Sequence, residues 1–336
     1  MFQQLRLLMR VLCVTLCVAA PAAAWQPTEP VEIIVPAGRG GGADQMARLL
    51  QRTISKHALM EQPIVVVNKS GGDGAEGLLH MKASAGNPHK LLMAMSNLFT
   101  TPRATGIAFS HRDLTPVGML ALDQFMLWVH TDAPYETAQQ FFDAIRAAPN
   151  GTFRMGGTGL KEEDHLVTFE LEKRLGKTLS YVAFRGGAEV AAQLATKQVT
   201  CTVNNPLEAF ERWRIGEVRP LCVFRPGRLP QTKKLPVGRA WSEIPSCKSA
   251  GVDLSYQMLR ALFLPAGASP DMVAYYADVL QRVRALPEWR DFLEAGAFDD
   301  RFMTGRPFVE WLERADAEHA VWMREARLLA EKAPPR

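Results

Sequence analysis

A glycine-rich segment near the N-terminus could bind a small anion through its main chain. The segment "VPAGRGGGADQMARLL" (35–50) places four glycines between an apolar run and a helical pattern. A strand-to-helix turn without side chains exposes main-chain N–H groups, and these donors act together with the positive end of the helix dipole to bind anions. This glycine turn is therefore predicted to form an anion site, and a tight turn that binds nothing is the alternative. Asp44 is predicted to cap the helix that follows.

A second glycine-rich segment, "RMGGTGLKEEDH" (154–165), repeats this arrangement. It follows a predicted strand and opens a predicted helix, and Thr158 adds a hydroxyl group to the exposed main chain. Three acids follow in the first helical turn, where negative side chains suit the helix dipole. The run "EEDH" could also be read as metal ligands, but the seven histidines of the chain are scattered. We therefore predict no metal site and expect His165 to be a hydrogen-bonded helix residue.

The glycine spacing also satisfies a dinucleotide-binding pattern. Gly38-x-Gly40-x-x-Ala43 matches G-x-G-x-x-G/A, which makes a nicotinamide-dependent oxidoreductase an alternative. A dinucleotide site needs an acid at the end of the second strand, and here that strand ends in Asn68-Lys69. The chain also lacks G-x-S-x-G, S-x-x-K and H-E-x-x-H. We predict no cofactor and no catalytic residues, and a secreted enzyme that acts on a carboxylate remains the alternative from another functional class.

Short β-branched runs alternate with amphipathic helical patterns along the chain, which predicts an α/β fold with mostly parallel sheets. Strands are expected at 31–35, 64–67, 91–94 and 117–120, and in a second set at 125–129, 153–155, 180–183, 199–203 and 219–224. Thr137 and Gln140 form a capping-box pattern at the start of a helix. The two sets of strands predict two α/β lobes. The C-terminal part is predicted to be helical at 270–285, 287–296 and 306–330, and these helices are expected to pack on the lobe of the first set.

The first 24 residues have the pattern of a secretory signal peptide, with Arg6 and Arg10 before an apolar run and an A-x-A site before Trp25. The formal net charge of the whole chain is +4, so nucleic acid is not expected as a partner. Beyond residue 24 three cysteines are left. We predict that Cys222 pairs with Cys247, and three free thiols are the alternative.

Several segments together resemble one protein family. They include "VEIIVPAGRGGGADQMARLL", "PIVVVNKSGGDGAEGL", "FRMGGTGLKEEDHL" and "YVAFRGGAEVAAQLATKQVTCTV", in this order and behind a signal peptide. The chain resembles the extracytoplasmic solute-binding proteins of tripartite tricarboxylate transporters, the Bug-type receptors. The resemblance implies a periplasmic monomer with a two-lobed venus-flytrap fold (type II-like) and a ligand cleft between the lobes. It also implies capture of a small organic carboxylate for the membrane components of such a transporter, or for a sensor.

The pattern along the chain predicts four segments: the signal peptide at 1–24, lobe 1 at 25–122, lobe 2 at 123–247 and a return to lobe 1 at 248–336. The ligand-binding residues that the resemblance implies are Ala37, Gly38, Arg39, Gly40, Gly41 and Gly42; Ser96 and Asn97; Gly157, Thr158, Gly159, Leu160 and Lys161; and Gly186, Gly187, Asn204 and Asn205. Two of them depart from the family pattern, because Arg39 replaces a frequent proline and Leu160 a frequent serine or threonine. Arg39 is expected to favour ligands with more negative charge, and a solvent-facing position at the cleft rim is the alternative.

Overall fold

The computed structural model describes residues 25–330, so the predicted signal peptide at 1–24 lies outside the described residues. The described chain forms two five-stranded sheets, and we call each sheet with its helices a lobe. The first sheet contains β1 (Val31–Val35), β2 (Ile64–Asn68), β3 (Lys90–Ala94), β4 (Leu114–Gln124) and β10 (Gln257–Pro265). The second sheet contains β5 (Met126–His130), β6 (Arg154–Thr158), β7 (Ser180–Phe184), β8 (Cys201–Asn204) and β9 (Val218–Val223).

Helices cover both sheets. The first lobe contains α1 (Gly42–Lys56), α2 (Ala75–Ala83), α3 (Asn97–Thr105), α8 (Pro270–Arg284) and α9 (Pro287–Ala295). The second lobe contains α4 (Ala138–Ala147), α5 (Glu163–Leu175), α6 (Gly187–Ala195) and α7 (Pro206–Arg214). The last helix, α10 (Gly305–Glu325), contacts both lobes. The predicted capping box is confirmed, because the Thr137 side chain accepts from the main-chain N–H of Gln140 at the start of α4.

Both sheets are mixed, because one strand in each (β10 or β5) runs against the other four, so the prediction of a mostly parallel sheet holds for four strands of five. The strand order is β2-β1-β3-β10-β4 in the first lobe and β7-β6-β8-β5-β9 in the second. Within each sheet three neighbouring strands are parallel, and two further strands join by antiparallel pairing. The physical reason is the path between the lobes. The reversed strands are those that follow a passage between the lobes: β5 comes directly after β4, and β10 returns from the second lobe, so neither is placed by a helical crossover.

The predicted strands are present, but three elements were missed. The sequence does not predict strand β10, "QMLRALFLP", because a short apolar run has no periodicity that separates strand from helix. Helix α3 contains Pro102, and helix α7 has only nine residues. Strand β10 and helix α7 contribute Arg260 and Glu208 to the cavity described below, so part of the site is missing from the sequence-based prediction.

Helix α10 joins the cores of the two lobes. Phe308 and Leu312, near its beginning, pack with the buried residues of the first lobe. Met323, near its end, packs with Leu328 in the core of the second lobe. The prediction that the C-terminal helices pack on the first lobe describes the beginning of α10, while its end extends the packing to the second lobe. Its buried side chains recur every three to four residues along 21 residues, which makes the helix long enough to reach both cores.

Cys222 and Cys247 form a disulfide in the second lobe. Cys222 lies in β9, and Cys247 begins a short helical turn after the surface loop that follows this strand. The third cysteine of the described residues, Cys201, is a buried thiol in β8, and burial raises its pKa above the ordinary range. The disulfide therefore ties the surface loop back to the edge strand of the second sheet.

Candidate functional site

A cavity of about 350 Å³ lies between the lobes and is lined by residues of both. The lining follows the carboxyl ends of the six parallel strands. In the first lobe it comes from 36–38, 41–43, 70–74 and Met95, which follow β1, β2 and β3. In the second lobe it comes from 158–159, 162–164, 185–187 and Asn205, which end or follow β6, β7 and β8. Open α/β sheets bind ligands in this position, because the loops after the strands leave helix N-termini pointing at the crevice.

The first glycine-rich turn forms the N-terminus of α1. Gly40 has a φ of +79°, which favours glycine, and Gly41 occupies the N-cap position. Asp44 was predicted to be the N-cap, but it is the third residue of the helix. Its Oδ2 accepts from the main-chain N–H of Gly40 at 2.9 Å. Burial raises the pKa of Asp44, but hydrogen bonds from Arg48 and Gly40 outweigh this effect and lower it.

The second glycine-rich turn lies opposite, at the N-terminus of α5. The Asp164 Oδ2 accepts from the main-chain N–H of Thr158 at 2.8 Å, which fixes the turn. Gly159 has a φ of +62°, and a Cβ atom there would lie 2.4 Å from Glu162 Oε2. The close approach of this acid to the main chain therefore requires glycine. His165 is a hydrogen-bonded helix residue as expected, because its Nδ1 accepts from the main-chain N–H of Lys161 at 3.1 Å.

Five carboxylates line the cavity, and we call them the acidic cluster: Asp73, Glu162, Glu163, Asp164 and Glu208. Burial raises the pKa of Glu163 to about 7, although the main chain and Arg260 act in the opposite direction. Burial also raises the pKa of Glu162, and the neighbouring Glu163 adds to this effect. For Asp164 the main cause is again burial, followed by the Glu208 charge. The sequence predicts only that the three acids at 162–164 form a charged helix start. The structure corrects this prediction, because the three residues line the cavity.

Arg260 is the buried cation of the cavity wall. It lies in β10, and its Nε donates to Asp123 Oδ2 at 3.1 Å in an ion pair of which each side chain is 1% exposed. Burial raises the pKa of Asp123 to about 7, against the lowering effect of Arg260. A Cβ atom on Gly42 would lie 2.6 Å from Arg260 Nη2, so the N-terminus of α1 rests directly on the guanidinium group. Arg260 was not predicted from the sequence. The feature that could have identified it is a charged residue inside an apolar run.

Glu208 connects the lobes across the cleft. Its Oε1 accepts from the main-chain N–H of Gly42 at 3.2 Å, and its Oε2 accepts from the main-chain N–H of Asn205 at 3.1 Å. A carboxylate of the protein thus lies at the N-terminus of α1, where the sequence predicted an anion. A second contact joins the lobes where the Thr101 hydroxyl donates to Glu162 Oε1 at 3.1 Å.

The structure brings about half of the predicted ligand-binding residues to the cavity wall. These are Ala37, Gly38, Gly41, Gly42, Thr158, Gly159, Gly186, Gly187 and Asn205. All of them belong to turns that follow parallel strands. The first glycine-rich turn thus lies opposite the second, as the sequence analysis expected of an anion site shared by two loops.

The other predicted residues lie outside the lining. Arg39, Gly40 and Leu160 are exposed, and Leu160 is 56% exposed. The remaining ones are held by other contacts. Ser96 Oγ accepts from the Leu259 N–H at 3.1 Å. Three others donate to main-chain carbonyls. Asn97 Nδ2 donates to Pro36 at 3.2 Å, Asn204 Nδ2 to Gly187 at 3.0 Å and Lys161 Nζ to Leu329 at 3.1 Å. Gly157 is buried within β6, where a Cβ atom would lie 2.4 Å from the Tyr181 hydroxyl oxygen.

Comparison with known proteins identifies the family. Residues 46–314 match the model of the tripartite tricarboxylate transporter family receptor. The chain belongs to this receptor family. A Cupriavidus necator protein described as "UPF0065 protein in gbd 5'region" is 24% identical over 291 residues, which cover 85% of this chain and 84% of that protein. The receptor fold predicted from the sequence is thus confirmed at the level of the family.

Two solved structures confirm the two-lobed periplasmic-binding-protein fold of this receptor. A periplasmic transporter superimposes with a TM-score of 0.81 at 20% identity, covering 90% of this chain and 99% of that one. A protein from R. palustris with adipate superimposes with a TM-score of 0.79 at 21% identity, covering 89% of this chain and 98% of that one. Within residues 25–330 of the receptor, no helix is long and apolar enough to cross a membrane. The same residues contain no group of three or more histidines, cysteines or acids placed to hold a metal ion.

Proposed function

We propose that this protein is a periplasmic receptor that captures a small organic carboxylate between its lobes and delivers it to the membrane components of a tripartite tricarboxylate transporter. The observation that carries the proposal is the convergence of helix N-termini from both lobes on one cavity. The N-terminal residues of α1, α5 and α6 all line it. Helix N-termini favour negative ligands, and a volume of about 350 Å³ suits a small molecule.

The chemistry of the cavity wall supports a carboxylate at the first lobe. Arg260 lies beneath the N-terminus of α1, and arginine matches the two oxygens of a carboxylate. The turn at 37–42 would add main-chain N–H donors other than those of Gly40 and Gly42, which donate to Asp44 and Glu208. Closure of the lobes around the ligand would then create the surface that the transporter recognises. The adipate in the R. palustris structure is a small dicarboxylate, which agrees with this class of ligand.

A thermal-shift screen with mono-, di- and tricarboxylates tests the proposal. A ligand at about 100 times its dissociation constant should add about 2.7 kcal/mol to the free energy of unfolding, which raises the melting temperature by several degrees. Neutral solutes of the same size serve as controls. A melting temperature that rises with a neutral solute and with no carboxylate would contradict the proposal.

A receptor should also leave its ligand unchanged. Proton NMR spectra of the best ligand, recorded over a day with the protein at a tenth of the ligand concentration, should show no product. The appearance of product signals, absent from a sample with heat-denatured protein, would instead indicate an enzyme.

A further inference from the structure

We propose that the ligand is a zwitterion, a small amino carboxylate whose ammonium group contacts the acidic cluster while its carboxylate contacts Arg260. This inference rests on the proposed function, because it assumes that the cavity is the binding site. It goes further by naming the class of carboxylate and by assigning a separate position to each charged end of the ligand.

The residues that line the cavity carry more acidic than basic side chains. Five carboxylates line the cavity against only two guanidinium groups, those of Arg185 and Arg260. The charge of Arg260 is already paired with Asp123 behind it. A second carboxylate on the ligand would lie among these acids and would raise their pKa values further, whereas an ammonium group there would lower them and favour their ionised forms.

Two residues that line the cavity have buried polar atoms without hydrogen-bond partners. Among residues 25–330, Glu163 Oε1 and Arg260 Nη1 are buried and have no hydrogen-bond partner. Glu163 is 3% exposed and Arg260 1%, and both line the cavity. Buried polar atoms are almost always paired, so an unpaired acceptor and an unpaired donor from two residues that line one cavity indicate a ligand that supplies both partners. An ammonium group donates and a carboxylate accepts, which is the combination required.

The two atoms also come from different lobes. Arg260 belongs to β10 of the first lobe, and Glu163 begins α5 of the second. A zwitterion held at both ends would therefore join the lobes. Met95 and Met258 lie on the same wall and provide an apolar surface for the methylene groups between the charged ends.

Glu208 strengthens the argument against a simple dicarboxylate. Its side chain already occupies the N–H of Gly42 at the N-terminus of α1. One of the main-chain donors that could bind a second ligand carboxylate is thus taken by the protein itself. The donors left at this end of the cavity then suit a single carboxylate.

Isothermal titration with matched ligand pairs tests this inference. The pairs succinate and aspartate, glutarate and glutamate, and butyrate and γ-aminobutyrate differ only in an amino group, which is charged at pH 7.5. In at least one pair we expect the amino compound to bind at least tenfold more tightly than its partner. In Glu163→Gln this preference should fall at least tenfold, because the amino compound loses affinity while the compound without the amino group binds no more weakly than to the natural protein.

Two further variants make the result specific. Glu211→Gln removes an exposed carboxylate on α7 outside the cavity, so it should keep the preference unchanged. Asp73→Asn removes a charge of the acidic cluster at a φ of +54°, a conformation that asparagine tolerates, and should weaken the preference. Thermal melting of each variant confirms that it is folded.

Each outcome has a distinct meaning. If the compounds without an amino group bind as tightly as their partners, the zwitterion inference is wrong and the carboxylate receptor stands. If the preference exists but survives both Glu163→Gln and Asp73→Asn, the assigned ammonium position is wrong. If no carboxylate of either kind binds to the folded protein, the proposed function itself fails.

Discussion

Replacement of Glu163 with glutamine is expected to stabilise the folded protein at pH 8 and to leave its stability unchanged at pH 4. Burial raises the pKa of Glu163 from an ordinary value of 4.5 to about 7 in the folded protein. Between these values the folded state holds a proton that the unfolded state has lost. The free energy of unfolding therefore falls as the pH rises through this window.

The size of the effect follows from the pKa difference. Each pKa unit corresponds to about 1.4 kcal/mol, so the charged Glu163 side chain costs the folded state about 3–4 kcal/mol at most above pH 7. Glutamine keeps the shape and has no charge, so the variant lacks this cost at every pH. Below pH 4.5 the glutamate is protonated in both states, and the two proteins should be equally stable.

Urea unfolding followed by tryptophan fluorescence at pH 4, 5, 6, 7 and 8 measures the difference. The advantage of Glu163→Gln should appear above pH 4.5, grow up to pH 7 and then remain constant. The control Glu211→Gln changes an exposed side chain of α7 and should show no such trend. A difference that is independent of pH, or a variant that is less stable than the natural protein at pH 8, would refute the reasoning. The cost of burying the charged Glu163 carboxylate would then be offset by its interactions in the folded protein.

Three other changes should have measurable effects. Reduction of the disulfide between Cys222 and Cys247, which are 25 residues apart, should lower the free energy of unfolding by about 3 kcal/mol, as measured by urea unfolding with and without reductant. Gly42→Ala should weaken ligand binding at least tenfold in calorimetry, because the new methyl group would lie 2.6 Å from the Arg260 guanidinium. Asp123→Ala should lower the free energy of unfolding at pH 8 by about 3–5 kcal/mol, because a buried cation loses its partner.

Matched controls accompany these changes. Gly227→Ala adds a methyl group with no atom within 4 Å and should leave ligand affinity unchanged. Glu211→Ala breaks an exposed ion pair with Arg214 and should change stability by less than about 1 kcal/mol. Three thiols that react with iodoacetamide in the unfolded, unreduced protein would contradict the disulfide. Unchanged affinity in Gly42→Ala, or a loss in Asp123→Ala no larger than in its control, would contradict the other two predictions.

The sequence by itself determined the features that depend on neighbouring residues. The β-branched runs gave the strands, and glycines after two of these runs predicted turns at helix N-termini, which the structure places opposite each other at 37–42 and 158–159. The family resemblance depended on the same segments. Such features are predictable because strand periodicity, turn conformation and helix capping are set within a few residues.

Only the tertiary structure decided which charges enter the cleft. Arg260 and Glu208 lie 218 and 166 residues along the chain from Gly42, which both approach. Nothing in the local pattern shows that β10 returns between β3 and β4 and carries Arg260 beneath α1. The same holds for Glu163, since its position in a first helical turn is equally compatible with solvent. Burial and long-range pairing set the chemistry of this wall, and both arise only when the two lobes are assembled.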